Sequence, residues 1–140
     1  MQNNLLVMYT PPLARAVTSG IDVMVQSAFV GERPTEHGVL YLHRYEVLIR
    51  NTTDRDVQLL ARKWRIADLG QPVEEVEGRS VIGVEPVIGA HSGYSYVSGV
   101  ALRSPLGAMA GMYWFEDLTR EERFWVAIPQ FQLEVPWVWN

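Results

Sequence analysis

VQLLARKWRI, residues 57–66, opens the part of the chain that decides the fold. Two further unusual segments follow before residue 133, GRSVIG at residues 78–83 and SPLGAMAG at residues 104–111. Around and between these segments, apolar and polar residues alternate with a period of two, which is typical of strands with one wet face. Apolar residues do not recur at helical spacing over three turns. The sequence therefore predicts an all-β chain.

The same alternation extends outward to both ends of this stretch. Ile21, Val23, Val25 and Phe29 share one face of a first predicted strand. We predict further strands at residues 41–49, 59–66, 73–76, 81–87, 94–102, 109–116 and 123–133. Short strands and polar turns in a chain of this length favour a two-layer antiparallel sandwich of about seven or eight strands, although composition alone leaves a barrel open.

The third predicted strand carries the clearest core residue. Strict alternation assigns Leu60, Trp64 and Ile66 to one face, with Arg62 beside Trp64. It assigns Leu59, Ala61, Lys63 and Arg65 to the opposite face. We predict that Trp64 anchors the core and that Lys63 and Arg65 point to solvent.

Four motifs together resemble the ApaG domain, a family also catalogued as DUF525. They are VQLLARKWRI (57–66), GRSVIGVEP (78–86), YSYVSGVALRSPLGAMAGMY (94–113) and VAIPQFQL (126–133). The resemblance implies an immunoglobulin-like or fibronectin type III-like sandwich without an inter-sheet disulfide. It begins only near Ile21, so we divide the chain into an N-terminal extension (1–18), an ApaG-like domain (19–135) and a C-terminal tail (136–140).

Composition excludes several classes of function. A formal net charge of −4 and a pI near 5.3 argue against a protein that mainly neutralises nucleic acid. No apolar run approaches the roughly 20 residues of a membrane-spanning helix, so we expect no membrane insertion. The chain has no cysteine, which fits a reducing compartment, and we expect a cytoplasmic protein.

The glycine-rich segment at residues 78–83 supports two interpretations. Gly78, Arg79, Ser80 and Gly83 form a candidate site for a phosphate or nucleotide, since free amides and one guanidinium can hold an anion. However, no helix follows, and Ser80 replaces the middle glycine of the family pattern, which would allow close approach to a phosphate. The favoured interpretation is a corner of the sandwich where Gly78 and Gly83 supply positive φ or a bulge.

Two surfaces are candidates for protein binding. Arg62, Lys63 and Arg65 form a basic cluster suited to an acidic partner, and the alternative is a solvated strand face over Trp64. A second surface would combine the predicted hairpin at residues 98–111 with Tyr113, Trp114 and Phe115, because aromatic residues are enriched in interface cores. The favoured interpretation of this hairpin is architectural, since its small residues let the turn pack tightly.

No catalytic, metal or cofactor site is predicted. Glu74, Glu75 and Glu77 form the main acidic concentration, but charged edge strands are commonplace and alternation separates neighbouring carboxylates. The three histidines show no ligand spacing. We therefore predict that the protein is not an enzyme.

The resemblance implies a bacterial protein linked to Co²⁺ resistance and Mg²⁺ efflux and encoded beside a diadenosine tetraphosphate hydrolase. Without a membrane span, any effect on efflux would act through a partner or ligand. The leading hypothesis is a non-enzymatic binding module with an unidentified protein partner. The alternative is a sensor of pyrophosphate-containing nucleotides, with or without Mg²⁺, that uses residues 78–83. A homodimer through sheet edges or Trp137 and Trp139 is a further expectation.

Overall fold

The computed structural model describes residues 11–139, and the apolar segment at residues 5–9 lies outside that part. The described chain forms nine strands and one short 3₁₀ helix. The strands are β1 (Ala14–Thr18), β2 (Ile21–Thr35), β3 (Gly38–Asn51), β4 (Val57–Asp68), β5 (Glu74–Arg79), β6 (Val87–Ile88), β7 (Gly93–Leu102), β8 (Leu106–Asp117) and β9 (Glu122–Glu134), and the 3₁₀ helix spans Pro136–Trp139. The described residues contain no helix with the length and hydrophobicity that a bilayer span requires.

The strands form two antiparallel sheets that pack face to face. The first sheet has the order β1-β2-β3-β7, and the second has the order β5-β4-β8-β9 with β6 beside β4. The all-β sandwich predicted from alternation is confirmed. Nine strands exceed the expected seven or eight because Ala14–Thr18, predicted to belong to the N-terminal extension, pairs with β2 as β1.

The core lies between the sheets and receives alternate side chains from each strand. Tyr113 and Phe115 are the largest fully buried side chains. Burying a large apolar side chain stabilises a fold by about 2–3 kcal/mol. Other fully buried residues come from both sheets and include Ile21, Val23, Val25, Val47, Ile49, Val57, Leu59, Ile88, Leu102 and Leu133. Trp64 is also buried, which confirms it as a core residue.

A β-bulge at Leu60 corrects the predicted faces of β4. Leu59 pairs with Phe115 and Ala61 pairs with Trp114, so Leu60 has no partner in β8. The extra residue shifts the alternation by one position. Leu59 therefore faces the core, where strict alternation had assigned Leu60, while Trp64 still points inward beyond the bulge.

Residues 81–87 form a turn and a short strand, and the predicted strand over this range is wrong. Val81 and Val84 exchange backbone hydrogen bonds of 2.7 and 3.0 Å, which closes a tight turn. Ser80, Ile82 and Gly83 have φ of 65°, 46° and 77°. These left-handed conformations interrupt a strand, so only Val87–Ile88 pairs with β4.

The predicted hairpin at residues 98–111 is also wrong. Strand β7 pairs with β3 in the first sheet, whereas β8 pairs with β4 and β9 in the second. Residues 103–105 therefore carry the chain from one sheet to the other. Two turn amides and the Ser104 hydroxyl donate hydrogen bonds to the carboxylate of Asp68 at the end of β4, at 2.6–3.1 Å.

Candidate functional site

The outer face of the second sheet carries the predicted basic residues of β4. Lys63 and Arg65 are exposed there, while Arg62 lies on the inner face beside Trp64, as alternation predicts. Lys63 lies 3.5 Å from Glu77 of β5. In the described part of the chain Arg65 has no ion pair. The cluster of Arg62, Lys63 and Arg65 is thus divided between two faces, and only Lys63 and Arg65 are available to a partner on the outer face.

Two tryptophans lie on the same outer face as these cations. Trp114 of β8 and Trp125 of β9 are directly paired across the strands, and their ring centroids are 4.4 Å apart. Trp125 is 45% exposed, and Met112, which pairs with Lys63 across β4 and β8, is 39% exposed. Exposed aromatic and methionine side chains are typical of protein–protein interfaces, so this cluster is a candidate binding surface. We call Lys63, Arg65, Met112, Trp114 and Trp125 the tryptophan face.

The tryptophan face corrects the second surface predicted from sequence. Trp114 lies on it, but Tyr113 and Phe115 are fully buried. Adjacent strand residues point to opposite faces, so these three side chains cannot share a surface. Sequence reasoning missed Trp125, which becomes identifiable only when the β8–β9 pairing places it opposite Trp114.

Arg62 and the candidate ligand loop are in direct contact. The Nη1 of Arg62 donates hydrogen bonds to the backbone oxygens of Arg79, at 3.2 Å, and of Ser80. A Cβ at Gly78 would lie 3.3 Å from Arg62 Nη1. Gly78 therefore gives room for this guanidinium and is not among the described positive-φ glycines. Gly83 does have positive φ, as the corner interpretation predicts.

The backbone amides of the loop are largely used inside the fold. The amide of Ser80 donates to the Leu60 oxygen at 2.8 Å, and those of Val81 and Val84 donate to each other's oxygens. Such amides cannot also bind a phosphate without losing these bonds. The Arg79 side chain is 89% exposed and lies 4.0 Å from Glu85. Anion binding by Gly78, Arg79, Ser80 and Gly83 stays a prediction.

Metal-ligating side chains are dispersed in the described part of the chain, where no group of three or more could hold an ion. Glu74, Glu75 and Glu77 are exposed on the edge strand β5. His43 is buried against Phe29, with ring centroids 5.5 Å apart, and burial lowers its pKa to about 4. Among residues 11–139, no hydrogen-bond partner of His43 Nε2 is found.

The C-terminal tail folds back on the sandwich. Trp137 contacts Phe29 edge to face, with ring centroids 5.3 Å apart, and stays 45% exposed. The Trp139 side chain lies outside the described part, so its expected role is not addressed. Homodimerisation through Trp137 stays a prediction.

Comparisons with known proteins agree with the motifs. The pattern of the ApaG domain, DUF525, matches residues 31–117. Protein ApaG of Mesorhizobium japonicum is 39% identical over 122 residues, covering 87% of this chain and 93% of the relative. Protein ApaG of Vibrio vulnificus (strain YJ016) is 38% identical over 120 residues, covering 86% and 94%.

Solved structures share the fold. An X-ray structure of a Northeast Structural Genomics Consortium target has a TM-score of 0.83 at 30% identity, covering 89% of this chain and 94% of its own. The putative ApaA protein from Bordetella pertussis has a TM-score of 0.76 at 29% identity, covering 93% and 100%. Motifs, fold and relatives agree, and the chain belongs to the ApaG family.

Proposed function

We propose that this protein is a non-enzymatic binding module that docks another protein on the tryptophan face. The observation that supports this proposal best is the Trp114–Trp125 pair, in which Trp125 is 45% exposed, on the same sheet face as Lys63 and Arg65. Aromatic residues dominate the energetics of protein interfaces, and flanking charges set specificity and association rate.

The chemistry of the face indicates the kind of partner. Arg65 and Lys63 favour carboxylates, and the tryptophans and Met112 favour an apolar group between them. We therefore expect a protein segment with an apolar anchor flanked by acidic residues. A role in Co²⁺, Mg²⁺ or dinucleoside-polyphosphate stress would then be indirect, through this partner.

Affinity capture from native cells, followed by quantitative mass spectrometry, tests the proposal. We expect a stoichiometric partner that is lost with Trp125→Ala and with the double variant Lys63→Glu, Arg65→Glu. The matched control is Arg44→Glu, Arg50→Glu, which places the same charge change on exposed positions of β3. Equal recovery with both double variants would refute the choice of face.

The alternative, a nucleotide sensor that uses residues 78–83, has the exposed Arg79 guanidinium in its favour. Calorimetry with pyrophosphate, ATP and diadenosine tetraphosphate, each with and without Mg²⁺, separates the two functions. We expect no heat at millimolar ligand. Binding that Arg79→Ala abolishes would favour the sensor.

Homodimerisation is tested separately, because a second copy could also cover an exposed tryptophan. Light scattering of the full chain and of a chain that ends at Val135 provides the test, and an unchanged oligomeric state would exclude Trp137 as the contact. A mass that halves on truncation would assign Trp137 to a dimer contact.

A further inference from the structure

A cleft between the two sheets lies apart from the tryptophan face. It has a volume of about 380 Å³ and is lined by residues of β3, β4, β5, β7 and β8 and by the turn at Val81 and Ile82. That volume is within the range of about 300–1,000 Å³ that is usual for small-molecule sites. The apolar lining consists mainly of Trp64, Ile66, Val76, Val81, Ile82, Val100 and Met109.

Arg62 is the charged residue of this lining, which contains no carboxylate. Its hydrogen bonds to the oxygens of Arg79 and Ser80 use Nη1 and hold the guanidinium in place. Nε and Nη2 have no hydrogen-bond partner within the described residues. A guanidinium positioned by one nitrogen can therefore offer its other donors to an anion.

Two tyrosine hydroxyls supply a second donor. The hydroxyls of Tyr96 and Tyr113 are hydrogen bonded to each other. Tyr113 is fully buried, whereas Tyr96 lines the cleft. Either hydroxyl could donate, and the arrangement in which Tyr113 donates and Tyr96 accepts leaves no O–H of the fully buried Tyr113 without an acceptor. The proton of Tyr96 is then left for an acceptor in the cleft.

The protonation states support this assignment. Burial raises the pKa of both Tyr96 and Tyr113 well above the ordinary value, so both hydroxyls stay protonated at neutral pH. The positive charge of Arg62 lowers the pKa of both phenols and so opposes the effect of burial. The guanidinium therefore lies within electrostatic range of the two hydroxyls. Tyr96 is thus a donor near a cation.

We propose that this cleft binds a small amphipathic carboxylate, whose oxygens accept from Arg62 and Tyr96 while its hydrocarbon packs against Trp64, Val100 and Met109. One guanidinium balances one negative charge. A phosphate with two charges would leave part of its charge uncompensated beside Trp64 and the aliphatic lining. This binding site goes beyond the proposed docking function and uses the opposite face of β4.

The test is calorimetry of the full chain with octanoate, octanamide and inorganic phosphate. Octanamide has the same hydrocarbon without the charge, so it isolates the contribution of the carboxylate. We expect octanoate to bind at least tenfold more tightly than octanamide and phosphate to give no heat. Absence of octanoate binding at millimolar concentration, or equal binding of octanamide or phosphate, would overturn the proposal.

Variants locate the site. Arg62→Met removes the charge while keeping a long side chain, and it should weaken octanoate binding at least tenfold. Tyr96→Phe should weaken it severalfold without disturbing the loop that Arg62 holds. Arg65→Met, the matched control on the outer face, should bind as the wild type does. Equal affinity of Arg62→Met, Tyr96→Phe and Arg65→Met would place the ligand elsewhere and refute the assignment.

Discussion

Arg55 donates a hydrogen bond from Nε to Oδ2 of Asp117 across 2.7 Å, and so joins the loop between β3 and β4 to the end of β8. Asp117 is buried, and its Oδ1 accepts from the amides of Thr119 and Arg120 at 3.0 Å each. One carboxylate therefore organises both the loop at residues 52–56 and the turn that follows β8. The Arg55 hydrogen bond, followed by that of the Arg120 amide, lowers the pKa of Asp117.

Asp117→Asn should lower the urea midpoint of unfolding at pH 7, because the amide cannot match a carboxylate that accepts from a guanidinium and two backbone amides. Since the folded pKa is lowered, this stability is present above the unfolded value near 3.8 and is lost as pH falls through the folded pKa. The difference between wild type and variant should therefore shrink at pH 3. Asp54→Asn is the control, because Asp54 is exposed and its ion pair is with Arg55, at 3.3 Å between Oδ1 and Nη1. An equal loss of stability in both variants would contradict the prediction.

Gly111 permits the close approach of β8 to β4. A Cβ at this position would lie 2.1 Å from the backbone oxygen of Lys63. Gly111→Ala should therefore lower the free energy of unfolding by about 3 kcal/mol, since backbone must move. Gly89→Ala, whose Cβ would meet only side-chain atoms at 3.6 Å or more, should stay within about 1 kcal/mol of wild type. Urea titration of both variants decides the point.

Ser80 holds a left-handed conformation, with φ of 65°, where the family pattern has glycine. Ser80→Gly should therefore stabilise the protein by about 1 kcal/mol, because the conformational strain exceeds the extra chain entropy of glycine. Ser95→Gly, at an exposed position of β7 without positive φ, should destabilise it. A Tm that falls in both variants would show that Ser80 makes a compensating contribution.

His43 should make the fold sensitive to mild acid. Burial lowers its pKa from 6.5 to about 4, so the unfolded chain binds more protons between these values. Stability should fall by a total of about 3 kcal/mol as pH drops through this window, and this contribution should level off below it. Urea unfolding at several pH values should give a flatter profile for His43→Leu. His37→Gln, at an exposed position, should keep the wild-type slope.

Alternation in the sequence was sufficient for the all-β class and for most faces, while the choice between a sandwich and a barrel needed the family resemblance. It placed Trp64 inside and Lys63 and Arg65 outside, because each strand buries one side against the opposite sheet. It failed at Leu60, since an apolar bulge residue has the same composition as a core residue. It also failed at residues 81–84, where Val81 and Ile82 have high strand propensity but tertiary contacts impose a turn.

Long-range pairing explains what the sequence did not reveal about the candidate sites. Trp125 joins Trp114 only through the register of β8 and β9. Arg62 reaches the loop at residues 78–83 because β4 and β5 pair and Gly78 leaves space beside it. No local pattern encodes these contacts, which depend on which strands become neighbours.

The bulge at Leu60 gives β4 one residue more than its pairing with β8 requires. The backbone oxygen of Leu60 accepts a hydrogen bond from the amide of Ser80. At Leu60 the alternation of inward and outward side chains shifts by one position. Exchange of Leu60 for another aliphatic residue would preserve both features. Deletion of one residue between Leu59 and Trp64 would instead give a regular strand with both side chains still in the core, but it would remove the bulge that presents this oxygen to Ser80, so relatives should tolerate aliphatic substitutions here better than this deletion.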